Sequence, residues 1–113
     1  MALRLKKQRS VRRCHFVASA EVTEVSSGAK LSARTSELGL GGCYIDALNP
    51  FPEGTLVRLR VLRDQGVFET QASVVYCHQG SGMGLAFAGI TPDQQSLLEA
   101  WLVEIVTQLR PVS

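Results

Sequence analysis

The sequence has no apolar run approaching the ~18 residues that a membrane-spanning helix needs. The cationic residues at its start are not followed by the apolar stretch of a secretory signal. A transmembrane helix is therefore excluded, no secretory leader is expected, and the expected compartment is the cytoplasm. Cysteine is scarce: Cys14, Cys43 and Cys77 are odd in number, scattered, and without a CxxC pair or a histidine at zinc-ligand spacing. That excludes a disulfide framework and a zinc finger and leaves three free thiols. Only two histidines occur, His15 and His78, and neither has a nucleophile at a known motif spacing. GxSxG, HExxH, Walker and DxDxDG sequences are absent, and the carboxylates are dispersed, so no enzyme class is indicated. The glycine-rich residues 80–84 (GSGMG) do not lead into a helix, which argues against a phosphate cradle of the P-loop or Rossmann kind. Aromatic residues make up 6% of the chain, too few for an evident nucleic-acid stacking platform.

What is present is a globular composition, 45% apolar and 19% charged over 113 residues, the size of one domain. The net charge of +2 conceals an asymmetry. Arg4, Lys6, Lys7, Arg9, Arg12 and Arg13 fall within the first thirteen residues, where there is no acid. This arm carries +6, and the remaining hundred residues carry −4. Residues 1–13 thus read as a flexible basic arm that seeks an anion, and residues 14–113 as a single folded body. Since the body is acidic, neither DNA nor RNA is the expected partner.

After the arm, short alternating segments separated by turn residues predict six strands. They cover residues 15–23 (HFVASAEVT), 29–35, 43–46 (CYID), 55–63 (TLVRLRVLR), 67–78 (VFETQASVVYCH) and 82–88 (GMGLAFA). In the fourth, Val57, Leu59 and Val61 point one way and Arg58 and Arg60 the other, the pattern of a half-buried strand. Residues 37–42 (ELGLGG) read as a turn or bulge whose glycines visit positive φ.

The period then changes. Thr91 suits an N-cap, Pro92 the first helical position, Asp93 the helix dipole and Gln94 a capping box. Leu97, Leu98, Trp101, Leu102, Ile105, Val106 and Leu109 form a wide apolar stripe that Pro111 terminates. Six hairpin-spaced strands and one helix predict a mainly β chain, a small antiparallel barrel closed by the helix. The stripe would bury against the barrel, or against a second copy to give a helix-mediated homodimer in place of a monomer.

Two features suit nucleotide binding. Arg9 and Arg13 lie four apart, and guanidinium groups bond bidentately to phosphate or a guanine edge and stack on a base. Glu37, at the head of the glycine segment, is a carboxylate able to accept from guanine N1 and N2 hydrogens. Taken together, the sequence resembles the PilZ domain, the bacterial receptor module for cyclic di-GMP. The resemblance runs from about Lys7 to Leu109. It is carried by the RxxxR pattern of Arg9 to Arg13, the D/NxSxxG-type segment Glu37-Leu38-Gly39-Leu40-Gly41-Gly42, the GMGLAF strand and the closing helix.

The resemblance implies a six-stranded split antiparallel β-barrel with a C-terminal amphipathic helix. It implies that Arg9 and Arg13 bracket the phosphates and guanines of cyclic di-GMP, with Arg12 an auxiliary phosphate contact. Glu37 would read a guanine edge, and Gly39, Gly41 and Gly42 would let the backbone approach the ligand. Two positions depart from the family pattern: Glu37 replaces Asp or Asn, and Gly39 replaces Ser. Loss of the serine hydroxyl removes a hydrogen bond worth ~0.5–1.5 kcal/mol, about tenfold in affinity. Binding would order the arm and signal to a separate effector protein of the motility, secretion or exopolysaccharide machinery. The alternative is a degenerate domain of the same fold that binds protein instead of nucleotide and exposes an apolar patch at residues 48–51 or on the helix.

Overall fold

The structure is a computed structural model and describes residues 13–109, with the side chains of Gln108 and Leu109 not included. Six strands follow one another: β1 (Arg13–Glu24), β2 (Lys30–Gly39), β3 (Gly42–Asp46), β4 (Leu56–Arg63), β5 (Gly66–His78) and β6 (Gly82–Ala88). A single helix, α1 (Pro92–Leu109), closes the described chain. All pairings are antiparallel, and the strands form a closed barrel in the order β1-β2-β3-β6-β5-β4. The mainly β class, the six strands and the helix agree with the expectation from the sequence.

β1 belongs to two halves of the barrel. Its second half, from Ser19 to Glu24, pairs with β4, and its first half pairs with β2 alone. The mouth left beside that first half is filled by α1. Trp101 stacks on Phe16 of β1 with ring centroids 5.8 Å apart and meets Phe68 of β5 edge-on at 6.4 Å. Val57, Leu59 and Val61 are fully buried, as their alternation requires, together with Val22, Leu38, Ile45, Phe68, Met83 and Leu85. Burying apolar surface at roughly 25 cal/mol per Å² is the main force holding such a small barrel together.

The apolar stripe of α1 is narrower than its sequence suggests. Leu98, Trp101 and Ile105 are buried, Leu97 and Leu102 are half-buried, and Val106 is exposed. A small barrel offers one convex end, which a single helix touches along one narrow line. The capping box is also only half made. The Gln94 N–H donates to Thr91 Oγ1 at 3.4 Å, but Gln94 Oε1 accepts the Glu69 N–H at 2.7 Å and so ties the helix to β5.

Two irregularities shape the sheet near the arm. β1 slips register against β2 between His15 and Ala18, where buried Thr35 supplies the missing partners. Its hydroxyl donates to the Phe16 carbonyl at 2.7 Å and accepts the Ala18 N–H at 3.1 Å. β2 slips against β3 between Thr35 and Glu37. Such bulges bend a strand and re-aim the side chains that follow.

Candidate functional site

The segment expected to be a glycine turn is mostly strand. Glu37, Leu38 and Gly39 complete β2, only Leu40 and Gly41 form the connection, and Gly42 opens β3. Positive φ occurs at Gly28, Gly54, Gly80, Gly89 and Asp64, and not at Gly39, Gly41 or Gly42. Gly42 has another reason to be glycine. A Cβ there would stand 2.1 Å from the Leu85 carbonyl oxygen and 3.0 Å from Arg13 Nη2. The close contact is with β6 and an arginine on the outer face, and the backbone itself is unstrained.

Register brings distant residues into rows across the outside of the barrel. One row runs His15, Glu37, Tyr44, Gly84, Tyr76 over five strands. Beside it, Arg13 pairs with Gly39, and Gly42 pairs with Ala86. Arg13, the last residue of the expected arm, is therefore the first residue of β1, and its guanidinium lies over Gly42. Arg13 Nη1 donates to Tyr76 Oη at 3.1 Å. Among the described arginines, Arg34, Arg60 and Arg63 each pair with a carboxylate, exposed Arg58 has no such pair, and Arg13 bonds this neutral phenol. A phenol leaves the positive charge uncompensated and available to an anion.

Glu37 is exposed on this face, Gly39 is buried at the end of β2, and Gly41 is exposed, its carbonyl accepting the Phe87 N–H at 2.9 Å. Arg9 and Arg12 lie outside the described residues. Arg13, Glu37, Gly39, Gly41 and Gly42 are thus gathered at one edge of the β1–β2–β3 face. Beneath them the Cys43 thiol is fully buried, and that burial pushes its pKa from the ordinary 9.0 up to about 12, with the positive Arg13 pulling weakly the other way. Cys43 is therefore a neutral packing group in the floor of the site, not a nucleophile.

A cluster of rings adjoins these residues, and the sequence did not single it out. Tyr44 and Tyr76 have centroids 6.1 Å apart with 29° between their planes. His78 sits 5.2 Å from Tyr76 and 6.0 Å from Tyr44. Tyr44 Oη lies 3.1 Å from His78 Nδ1 and 3.3 Å from Ser81 Oγ. The rings rest on the glycines of β6. A Cβ on Gly84 would be 2.3–2.7 Å from three carbons of the Tyr76 ring, and one on Gly82 would be 2.7 Å and 2.9 Å from carbons of Tyr44. The signal available in the sequence was the Gly82-Met83-Gly84 alternation in β6, which opens space on one face for neighbouring side chains.

Elsewhere, a groove of about 990 Å³ runs between α1 and the β4–β5 hairpin, lined by Trp101, Leu97, Val103, Arg63 and Glu104 among others. Its one described cation, Arg63, is bonded to Glu104, so it offers no basic cluster. Among the described residues no three of His, Cys, Asp or Glu come together as metal ligands do. Also among them, no helix is long and apolar enough to cross a membrane.

Comparison with known proteins agrees with this architecture. The family model of the PilZ domain matches residues 6–104. The Bacillus subtilis inhibitor of motility MotI/DgrA superposes with a TM-score of 0.76 at 18% identity, over 91% of this chain and 53% of that one. The PilZ domain of YcgR from Escherichia coli, solved with c-di-GMP, gives 0.73 at 18% identity over 91% and 95% of the two chains. The PilZ domain of CeSA from a cellulose-synthesizing bacterium gives 0.66 at 16% identity over 84% and 98%. The chain spans about half of the motility inhibitor and nearly all of the two isolated domains. At these identities the likeness is one of fold. No curated protein sequence matches the chain.

Proposed function

Because the chain belongs to the PilZ domain family, we propose that it is a receptor for cyclic di-GMP and not an enzyme. The observation that carries this reading is the convergence of Arg13, Glu37 and Gly42 on one outer face, with the Arg13 charge uncompensated by any described carboxylate. Two proteins of like fold, YcgR from Escherichia coli and the Borreliella burgdorferi protein PlzA, have been solved in complex with c-di-GMP, which supports the ligand class. In this reading Arg13 and Arg9 hold the phosphates and guanines, with Arg12 as an auxiliary phosphate contact. Glu37 accepts from a guanine edge. Gly39, Gly41 and Gly42 keep side chains out of the ligand's path.

Residues 1–12 then act as the basic arm of a single domain, leading into Arg13 at the start of β1. Bound ligand neutralises the arm's charge and draws it over the barrel, which presents a new surface to a separate effector protein of the motility, secretion or polysaccharide machinery. Gly39, where the family pattern has serine, weakens the grip by about one hydrogen bond, roughly tenfold.

The test is thermal unfolding of the full chain with and without cyclic di-GMP. A ligand bound only by the folded state adds about 2.7 kcal/mol at a hundredfold excess over Kd, so Tm rises with ligand concentration. The Arg13→Ala variant should lose the rise while keeping the unliganded Tm close to that of the parent. A Tm indifferent to cyclic di-GMP would favour the alternative, a domain of this fold that binds protein through an exposed apolar surface such as Leu48 and Val103.

A further inference from the structure

We propose that Tyr44 and Tyr76, buttressed by His78, form a shelf on which one purine ring of the bound nucleotide stacks. The inference rests on the nucleotide reading above and adds a second point of attachment to it. The inner side of each tyrosine ring is taken up by β6, because Gly82 and Gly84 have no side chain to hold the rings away. The cluster is in reach of a ligand from solvent: Tyr76 is 37% exposed, His78 is exposed and Tyr44 is half-buried. The three rings lie 5.2–6.1 Å apart, with 29–37° between planes. Tyr44 and Tyr76 are stacked and His78 is tilted against both, so the three form one aromatic cluster that Tyr76 and His78 present to solvent.

Their orientation is fixed from below and from the sides. Tyr44 is held by His78 and Ser81 through its hydroxyl, and Tyr76 by Arg13. A shelf pre-set in this way loses little rotamer freedom when a base lands on it.

The Tyr76–Arg13 bond links the shelf to the phosphate-binding end of the site. An anion drawn to Arg13 brings its attached base within reach of the adjoining ring, so one ligand engages charge and stacking together. Stacking is tolerant of base identity, because every base has a π-face. The shelf thus supplies affinity for a planar base, while Glu37 and the arginines supply the preference for guanine.

The sequence contains only two tyrosines, Tyr44 and Tyr76, so tyrosine-ring signals report on the shelf alone. The experiment is an NMR titration of the full chain, carbon-13 labelled at tyrosine, with cyclic di-GMP, alongside calorimetry on the same samples. Both ring signals should move saturably upfield, with nuclear Overhauser contacts to guanine H8. Tyr76→Leu should weaken binding about tenfold or more. Tyr76→Phe, which keeps the ring and loses the bond to Arg13, should stay within about threefold of the parent. Saturable heat with unmoved tyrosine signals would overturn the shelf and leave the nucleotide reading standing. No heat from the parent protein would overturn the nucleotide reading, and the shelf with it.

Discussion

The two outer walls of the barrel use the same kinds of residue in opposite ways. On the β1–β4–β5 wall, charges meet in register. Glu21 faces Arg60, Arg60 faces Glu69, and the guanidinium lies 3.2 Å from one carboxylate and 2.7 Å from the other. On the β2–β3–β6 face, glycines stand where side chains would be, rings lean over them, and Arg13 bonds a phenol. The Glu21–Arg60–Glu69 cluster pairs its charges internally, whereas exposed Arg58 on the same wall stands between Thr23 and Gln71 and meets no described carboxylate. On the second face Arg34 and Asp46 also pair in register, but Arg13 and Glu37 lie without a described charged partner among aromatic rings and a cleared strip of backbone. What sets the second face apart is that a cation without a described carboxylate partner, a carboxylate, aromatic rings and cleared backbone lie together on it.

This contrast can be broken most forcefully at Gly42. Gly42→Ala pushes a methyl into the Leu85 carbonyl and against Arg13, and should cost about 1–3 kcal/mol of stability by overpacking, read by urea denaturation. An alanine tolerated without cost would mean that the β3–β6 approach is looser than described.

The floor of the same face gives a pH-dependent effect of intermediate size. The Cys43 pKa is raised from 9.0 to about 12 in the folded chain, so the unfolded state releases this proton first. The stability that Cys43 contributes is complete below pH 9 and declines as pH rises from about 9 towards 12. The slope attributable to it is at most about 1.4 kcal/mol per pH unit. Denaturation at pH 8, 9 and 10 should show that decline in the parent and a smaller one in Cys43→Ala. The two half-buried thiols, Cys14 and Cys77, should be alkylated before Cys43 in the native protein.

The smallest effect belongs to the paired wall. Glu21→Gln removes one side of a solvent-screened ion pair, so it should change stability by less than about 1 kcal/mol. Nucleotide affinity should be unchanged. A clear loss of affinity in this variant would mean that the Glu21–Arg60–Glu69 wall takes part in binding.

Much of the fold was legible in the sequence because alternation and turn chemistry are local. Val57, Leu59 and Val61 announced the inward face of β4, and Thr91-Pro92 announced the start of α1. The end of β2 was not legible: three glycines in residues 37–42 mimic a turn, although the true reason for Gly42 is the nearness of β6, a strand far along the chain. The same limit hid the shelf. Aromatics are scarce in the composition, yet the strand order β3-β6-β5 sets Tyr44 and Tyr76 on either side of Gly84. A few aromatic residues suffice when long-range register gathers them, and a percentage carries no information about register. Gln94 teaches the same lesson on a smaller scale, since a β5 backbone amide outcompeted the local capping box for its carbonyl.

The most direct test of the central claim is isothermal titration of cyclic di-GMP into the full chain, with the Arg9→Ala/Arg13→Ala double variant as control. Saturable heat at micromolar or tighter affinity is expected in the parent and none in the double variant. A parent protein that gives no heat at high ligand concentration would contradict it, and the unpaired face would then have to be explained by a protein partner.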